Sequence, residues 1–186
     1  MIIHQLRQGL MEGIRLFFWT FAFFYRHLSL VILSLIPTSF RVMQSWHQFD
    51  TPIWMEVVVE FSRVVLFFLI IAIMLNARIK QLFQKELWQT IKKQVQNYMR
   101  QSWPYITIGQ ILIFIICMYG LMNFLFEFLI NKESVQIIMN AISIDNYDEK
   151  IAHDTIIFFI KNLSIIPMSL VYILRMLGIG KNQSQA

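Results

Sequence analysis

Four apolar segments, each about as long as a membrane-spanning helix and bounded by charged residues, constrain this chain more than any other feature. A bilayer core of ~30 Å requires about 20 apolar residues in a helix. The segments cover residues 28–46, 53–77, 105–130 and 155–177. A chain of 186 residues that is 57% hydrophobic and 15% charged is too apolar for a water-soluble domain. We therefore expect an all-α fold, a polytopic integral membrane helical bundle with four transmembrane helices.

Two further segments are amphipathic. In residues 78–103, apolar side chains recur every three or four positions, and the other face is mostly Lys, Arg and Gln. We expect this segment to be a cytoplasmic interfacial helix. Residues 1–25 show the same period, and the ten residues between Arg15 and Arg26 are too few to span a bilayer. We interpret this segment as a second interfacial helix without a cleaved signal peptide, with a steeply inserted fifth helix as the alternative.

The basic residues predict the orientation, because Lys and Arg concentrate in short cytoplasmic loops. With both termini in the cytoplasm, eleven of the sixteen Lys and Arg residues lie on that side. Residues 131–154 then form an outer acidic loop, and residues 178–186 form a cytoplasmic tail. The prediction is one membrane domain, residues 1–186, in a bacterial plasma (inner) membrane.

Six charged residues remain within the apolar segments, three cations and three anions. Charges at membrane depth are costly and normally face the bundle interior in pairs. We predict an intramembrane charge network of Arg41, Glu56, Glu60, Arg63, Glu127 and Lys161. It is either a set of structural ion pairs or a pathway for an ion or proton. Arg63 is the sharpest case, since it lies ten residues, or about 15 Å, inside residue 53.

A short motif occurs twice. LSLIPTSF at residues 33–40 returns as LSIIPMSL at residues 163–170. Pro37 and Pro167 each remove one backbone hydrogen bond, so both are predicted helix kinks, and the neighbouring Ser and Thr hydroxyls can bond nearby carbonyls. The repeat is either a pair of broken helices around a transporter-like site or a chance similarity, which we favour.

The basic face of the amphipathic segment predicts contact with anionic lipid headgroups on the cytoplasmic side of the bilayer. No nucleic-acid partner is expected, because the segment has a regular apolar face flanked by Trp88 and Trp103. The predicted lipid contacts are Arg78, Lys80, Lys85, Lys92, Lys93 and Arg100.

The sequence contains none of the familiar catalytic motifs, and we predict no catalytic residue, metal or cofactor. The single cysteine, Cys117, excludes an intrachain disulfide. His47 and Asp50 could converge with acidic and histidine residues near Asp145 and His153, but their spacing matches no metal motif.

Three functional hypotheses follow. The first is a non-enzymatic accessory or assembly component that binds another membrane protein or a second copy of the chain. The second is a small transporter or channel subunit that uses Glu60 and Arg63. The third is a lipid-modifying enzyme with a polar site on the outer face.

Overall fold

The computed structural model describes residues 2–47, 52–144 and 148–181, and all regular structure in these ranges is helical. In these ranges four helices, Leu28–Trp46, Ile53–Met74, Tyr105–Leu129 and Glu149–Met176, are long and apolar enough to cross a membrane, which confirms the predicted number of apolar segments of spanning length. The helices are α1 (Ile2–Arg26), α2 (Leu28–His47), α3 (Ile53–Met74), α4 (Lys85–Ser102), α5 (Tyr105–Leu129), α6 (Lys132–Ala141) and α7 (Glu149–Met176).

The polar connections contain helices. The segment predicted as an outer acidic loop, residues 131–154, contains α6 and the start of α7. Side-chain caps begin both helices: Asn131 accepts a hydrogen bond from the Ser134 amide at 2.9 Å, and Asp148 accepts one from the Ile151 amide at 3.0 Å. The amphipathic segment is divided in two, since a 3-10 helix (Ile79–Phe83) precedes α4.

The two proline motifs have different backbones. Around Pro37 helix α2 stays α-helical, and the Thr38 hydroxyl donates to the Ser34 carbonyl at 2.7 Å. Pro167 instead is the second residue after a π-helical turn of α7, Lys161–Ile165. A π turn is a common site of helix bending, and a proline cannot donate the usual hydrogen bond to the preceding turn. This difference weighs against an inverted repeat built on the motif.

We name the two ends of the bundle after residues that lie there. At one end, which we call the Gln110 end, the chain after α7 packs against the last turn of α3 and against Tyr98 of α4, and α4 contacts α5. Gly178 and Gly180 have φ of 89° and 73°, a left-handed backbone that favours glycine, and they turn the chain against Tyr98 and the Met74 carbonyl. The opposite end, which we call the Glu56 end, holds the start of α3 and the last turns of α2.

Helix α1 belongs to the bundle and packs mainly against the first part of α5. The two helices run parallel, because Gly9 lies beside Ile106 and Gly13 lies beside Ile113. A methyl group on Gly9 would collide with the Ile106 carbonyl oxygen. At its far end, Tyr25 is hydrogen-bonded at 2.8 Å to Ser164, in the middle of α7. Small residues such as Gly9 and Gly13 allow α1 to approach α5 this closely.

Candidate functional site

Arg41 and Glu56 join α2 to α3 at the Glu56 end. Arg41 Nη1 donates to Glu56 Oε1 at 2.7 Å, and Arg41 Nη2 donates to Glu56 Oε2 at 2.6 Å. Nη1 also donates to Gln44 Oε1 at 2.8 Å. This bidentate geometry is the strongest form of the Arg–carboxylate interaction. The pair fixes the α2–α3 hairpin at that end.

Glu60 and Arg63 form an ion pair within α3, outside the bundle core. Arg63 Nη1 lies 2.6 Å from Glu60 Oε1, one turn earlier in α3. The side chain of Glu60 is 60% exposed and that of Arg63 is 28% exposed. Val57, Phe61 and Val64 are exposed on the same helix. We call this surface the α3 face: Val57, Glu60, Phe61, Arg63 and Val64.

A groove reaches Arg63 on the flank of the bundle, between α3 and the second half of α7. Its volume is about 550 Å³, and apart from Arg63 its lining is apolar. The lining includes Phe67 and Phe68 from α3 and Ile166 and Leu170 from α7. Such a surface fits an apolar side chain or acyl chain better than a hydrated ion.

Lys161 and Glu127 connect α7 to α5. The distance between Lys161 Nζ and Glu127 Oε1 is 3.7 Å, and the glutamate is largely exposed. Lys161 begins the π turn of α7, so the pair lies where that helix departs from regular geometry. The structure therefore assembles the six predicted charges as three separate pairs of neighbours.

The six predicted lipid contacts share two properties. All are exposed, and none forms an ion pair with a residue that the structure describes. The apolar side of α4 packs inward, with Ile91 buried and Leu87 and Val95 against the core. The helix thus presents its cations away from the bundle.

The residues of the weak metal hypothesis cannot all be placed. The His47 side chain, Asp50 and Asp145 lie outside the described residues. His153 Nδ1 is 3.2 Å from Asp154 Oδ1 at the start of α7. Within the described ranges no three His, Cys, Asp or Glu side chains group as metal ligands.

Sequence reasoning missed a polar cluster at the Gln110 end. Gln110 Nε2 donates to Glu12 Oε2 at 3.0 Å and lies 2.9 Å from the Tyr98 hydroxyl, to which Lys181 Nζ donates at 2.6 Å. The hydroxyl of Tyr172 donates to the Gln110 carbonyl at 2.8 Å. These residues come from α1, α4, α5, α7 and the chain after α7, so no local pattern in the sequence relates them.

The fold places the chain in the broad class of all-helical proteins with several helices long enough to span a membrane. No protein-family model, curated protein or solved structure matches it. A function can therefore be inferred only from the geometry of the site.

Proposed function

We propose that the chain is a multi-pass protein of a bacterial plasma membrane and a non-enzymatic component of a membrane-protein assembly. The observation that carries this proposal is the Glu60–Arg63 pair on the α3 face, in which Glu60 is exposed and Arg63 is only half-buried instead of both being enclosed in the bundle. A charged pair at that depth is stabilised by polar groups of another protein, and lipid acyl chains have no such groups.

The membrane placement is supported by the four long apolar helices and by the charge distribution. Arg78 and the cations of α4 are exposed near the Gln110 end, where a cytoplasmic membrane surface would attract them. This orientation leaves both ends of the chain in the cytoplasm. The depth to which α1 packs in the bundle favours an inserted helix over one that lies flat on the surface.

The position of the pair along α3 makes its exposure significant. Helix α3 has 22 residues, and Arg63 lies ten residues after Ile53. At 1.5 Å per residue the helix is about 33 Å long and Arg63 is about 15 Å from its start, near the middle. A charged residue at the centre of a spanning helix costs roughly 2.5–3.5 kcal/mol even on insertion scales.

A partner helix on the α3 face would lower that cost. It would replace lipid around Glu60 and Arg63 with polar side chains, and it would fill the apolar groove beside Phe67 and Leu170. The remaining surface of the face is apolar, as expected for contact between helices within a bilayer. The partner is another membrane protein or a second copy of this chain.

The transport hypothesis is less well supported. A conducted ion needs polar groups to replace its hydration shell. The groove at Arg63 instead has apolar neighbours, among them Val64 and Ile166. We therefore assign the charged pair to assembly.

Two double variants test the proposal. Each removes one partly exposed ion pair: Glu60→Leu with Arg63→Leu removes the pair within α3, and Glu127→Leu with Lys161→Leu removes the pair between α5 and α7 as the matched control. The full chain is purified in mild detergent, and its mass and co-purified membrane proteins are compared with those of the wild type. We expect the α3 variant alone to lose its partner while keeping its helical content. Retention of every partner by both variants would contradict the proposal.

A further inference from the structure

A cavity of about 380 Å³ lies at the Gln110 end, away from the α3 face. It is bounded by α1, α4, α5 and the end of α7, and its volume falls within the range of small-ligand pockets. The polar and aromatic side chains that matter for its chemistry are Glu12, Arg15, Trp19, Gln110, Arg175 and Lys181.

The lining has an excess of positive charge. Three cations, Arg15, Arg175 and Lys181, face one carboxylate, Glu12. Lys181 Nζ is 4.0 Å from Glu12 Oε2, and the guanidinium of Arg175 lies 4.5 Å from the ring centroid of Trp19. Arg15 is exposed and forms no ion pair with a described residue. This arrangement favours an anionic ligand.

Gln110 adds a second requirement. Its side chain is 1% exposed, and its Nε2 atom is engaged with Glu12 and Tyr98. Its Oε1 atom is buried and accepts no hydrogen bond from the described residues. Turning the amide over would bring an oxygen against the Glu12 carboxylate, so Oε1 remains an acceptor that needs a donor. A ligand that carries a hydroxyl group beside its anionic group satisfies both requirements.

We propose that this cavity binds the phosphoglycerol headgroup of an anionic phospholipid. The phosphate would lie among Arg15, Arg175 and Lys181, and a glycerol hydroxyl would donate to Gln110 Oε1. Trp19 and the neighbouring Leu16 give the lining an apolar part for the adjoining acyl chain. The site rests on the membrane placement proposed above but not on the partner of the α3 face.

Native mass spectrometry of the full chain in detergent tests this proposal with phosphatidylglycerol, phosphatidylcholine and free sn-glycerol 3-phosphate. Arg15→Gln removes one cation of the cavity, and Arg7→Gln removes an exposed arginine of α1 outside it. We expect wild type to retain phosphatidylglycerol in preference to phosphatidylcholine. Loss of one headgroup contact should weaken retention about fivefold in Arg15→Gln and leave it unchanged in Arg7→Gln.

Three results would overturn the proposal: equal retention of both lipids, equal weakening by the two substitutions, or competition by glycerol 3-phosphate as strong as that by the lipid. The last would identify a soluble phosphate ligand in place of a lipid. Alkaline extraction of the cell membranes tests the membrane placement separately, so a failed lipid site and a failed membrane placement give different results.

Discussion

Substitution of Gly109 tests the packing of α1 against α5, on which the polar cluster and the cavity both depend. A Cβ atom at Gly109 would lie 2.8 Å from the backbone carbon of Gly9. Ordinary carbon contacts are about 3.5–4.0 Å, so the two helices would have to separate by roughly 1 Å. Overpacking of this kind typically costs about 1–3 kcal/mol. We expect Gly109→Ala to lower the free energy of unfolding by an amount in this range.

The same helix provides a control in Gly120. The nearest atom to a Cβ there is the Ile115 carbonyl oxygen at 3.8 Å, so the added methyl group meets no obstacle. Alanine is favoured over glycine in a helix by up to about 1 kcal/mol, so Gly120→Ala should stabilise the protein or leave it unchanged. Denaturant titration in detergent, followed by tryptophan fluorescence, measures both variants. Equal effects of the two substitutions would show that α1 and α5 are not in close contact.

Three other expectations follow from the structure. Tyr172→Phe removes the buried hydrogen bond to the α5 backbone and should cost about 1 kcal/mol, measured by the same titration. Arg41→Leu leaves Glu56 without its cation and should lower the melting temperature, and adding Glu56→Leu should restore part of the loss; no recovery would argue against the pair. For the proposed orientation, a membrane-impermeant maleimide should label Lys150→Cys in intact cells and Lys92→Cys only after lysis, and the reverse pattern would refute it.

The sequence predicts the long helices of this chain well because their signal is local. An apolar run of spanning length is visible from composition alone, and the observed α3 and α5 begin at Ile53 and Tyr105, where the predicted segments begin. The pairing of Arg41 with Glu56 could also be predicted from the sequence, because only a few residues separate the two apolar segments that carry them. Residues 135–144 are also somewhat apolar for a free loop, which favours a short amphipathic helix in the predicted outer segment.

The polar cluster at the Gln110 end could not be predicted in the same way. Glu12 and Tyr98 are 86 positions apart, and Glu12 and Gln110 are 98 apart, so only the packed bundle brings them together. One available signal was overlooked. Gly9 and Gly13 have the GxxxG spacing that permits close packing of membrane helices, and this spacing predicts the contact face of α1.

Cross-linking from the α3 face tests the central proposal most directly. A photoreactive amino acid in place of Phe61, which is 67% exposed beside Glu60, is compared with one in place of Ile116, which is 58% exposed on α5. We expect a discrete cross-linked product in membranes from position 61, with little from position 116, and we expect Glu60→Leu with Arg63→Leu to abolish it. Equal cross-linking from both positions, or a product that persists in that double variant, would contradict the assignment of the charged α3 face to assembly.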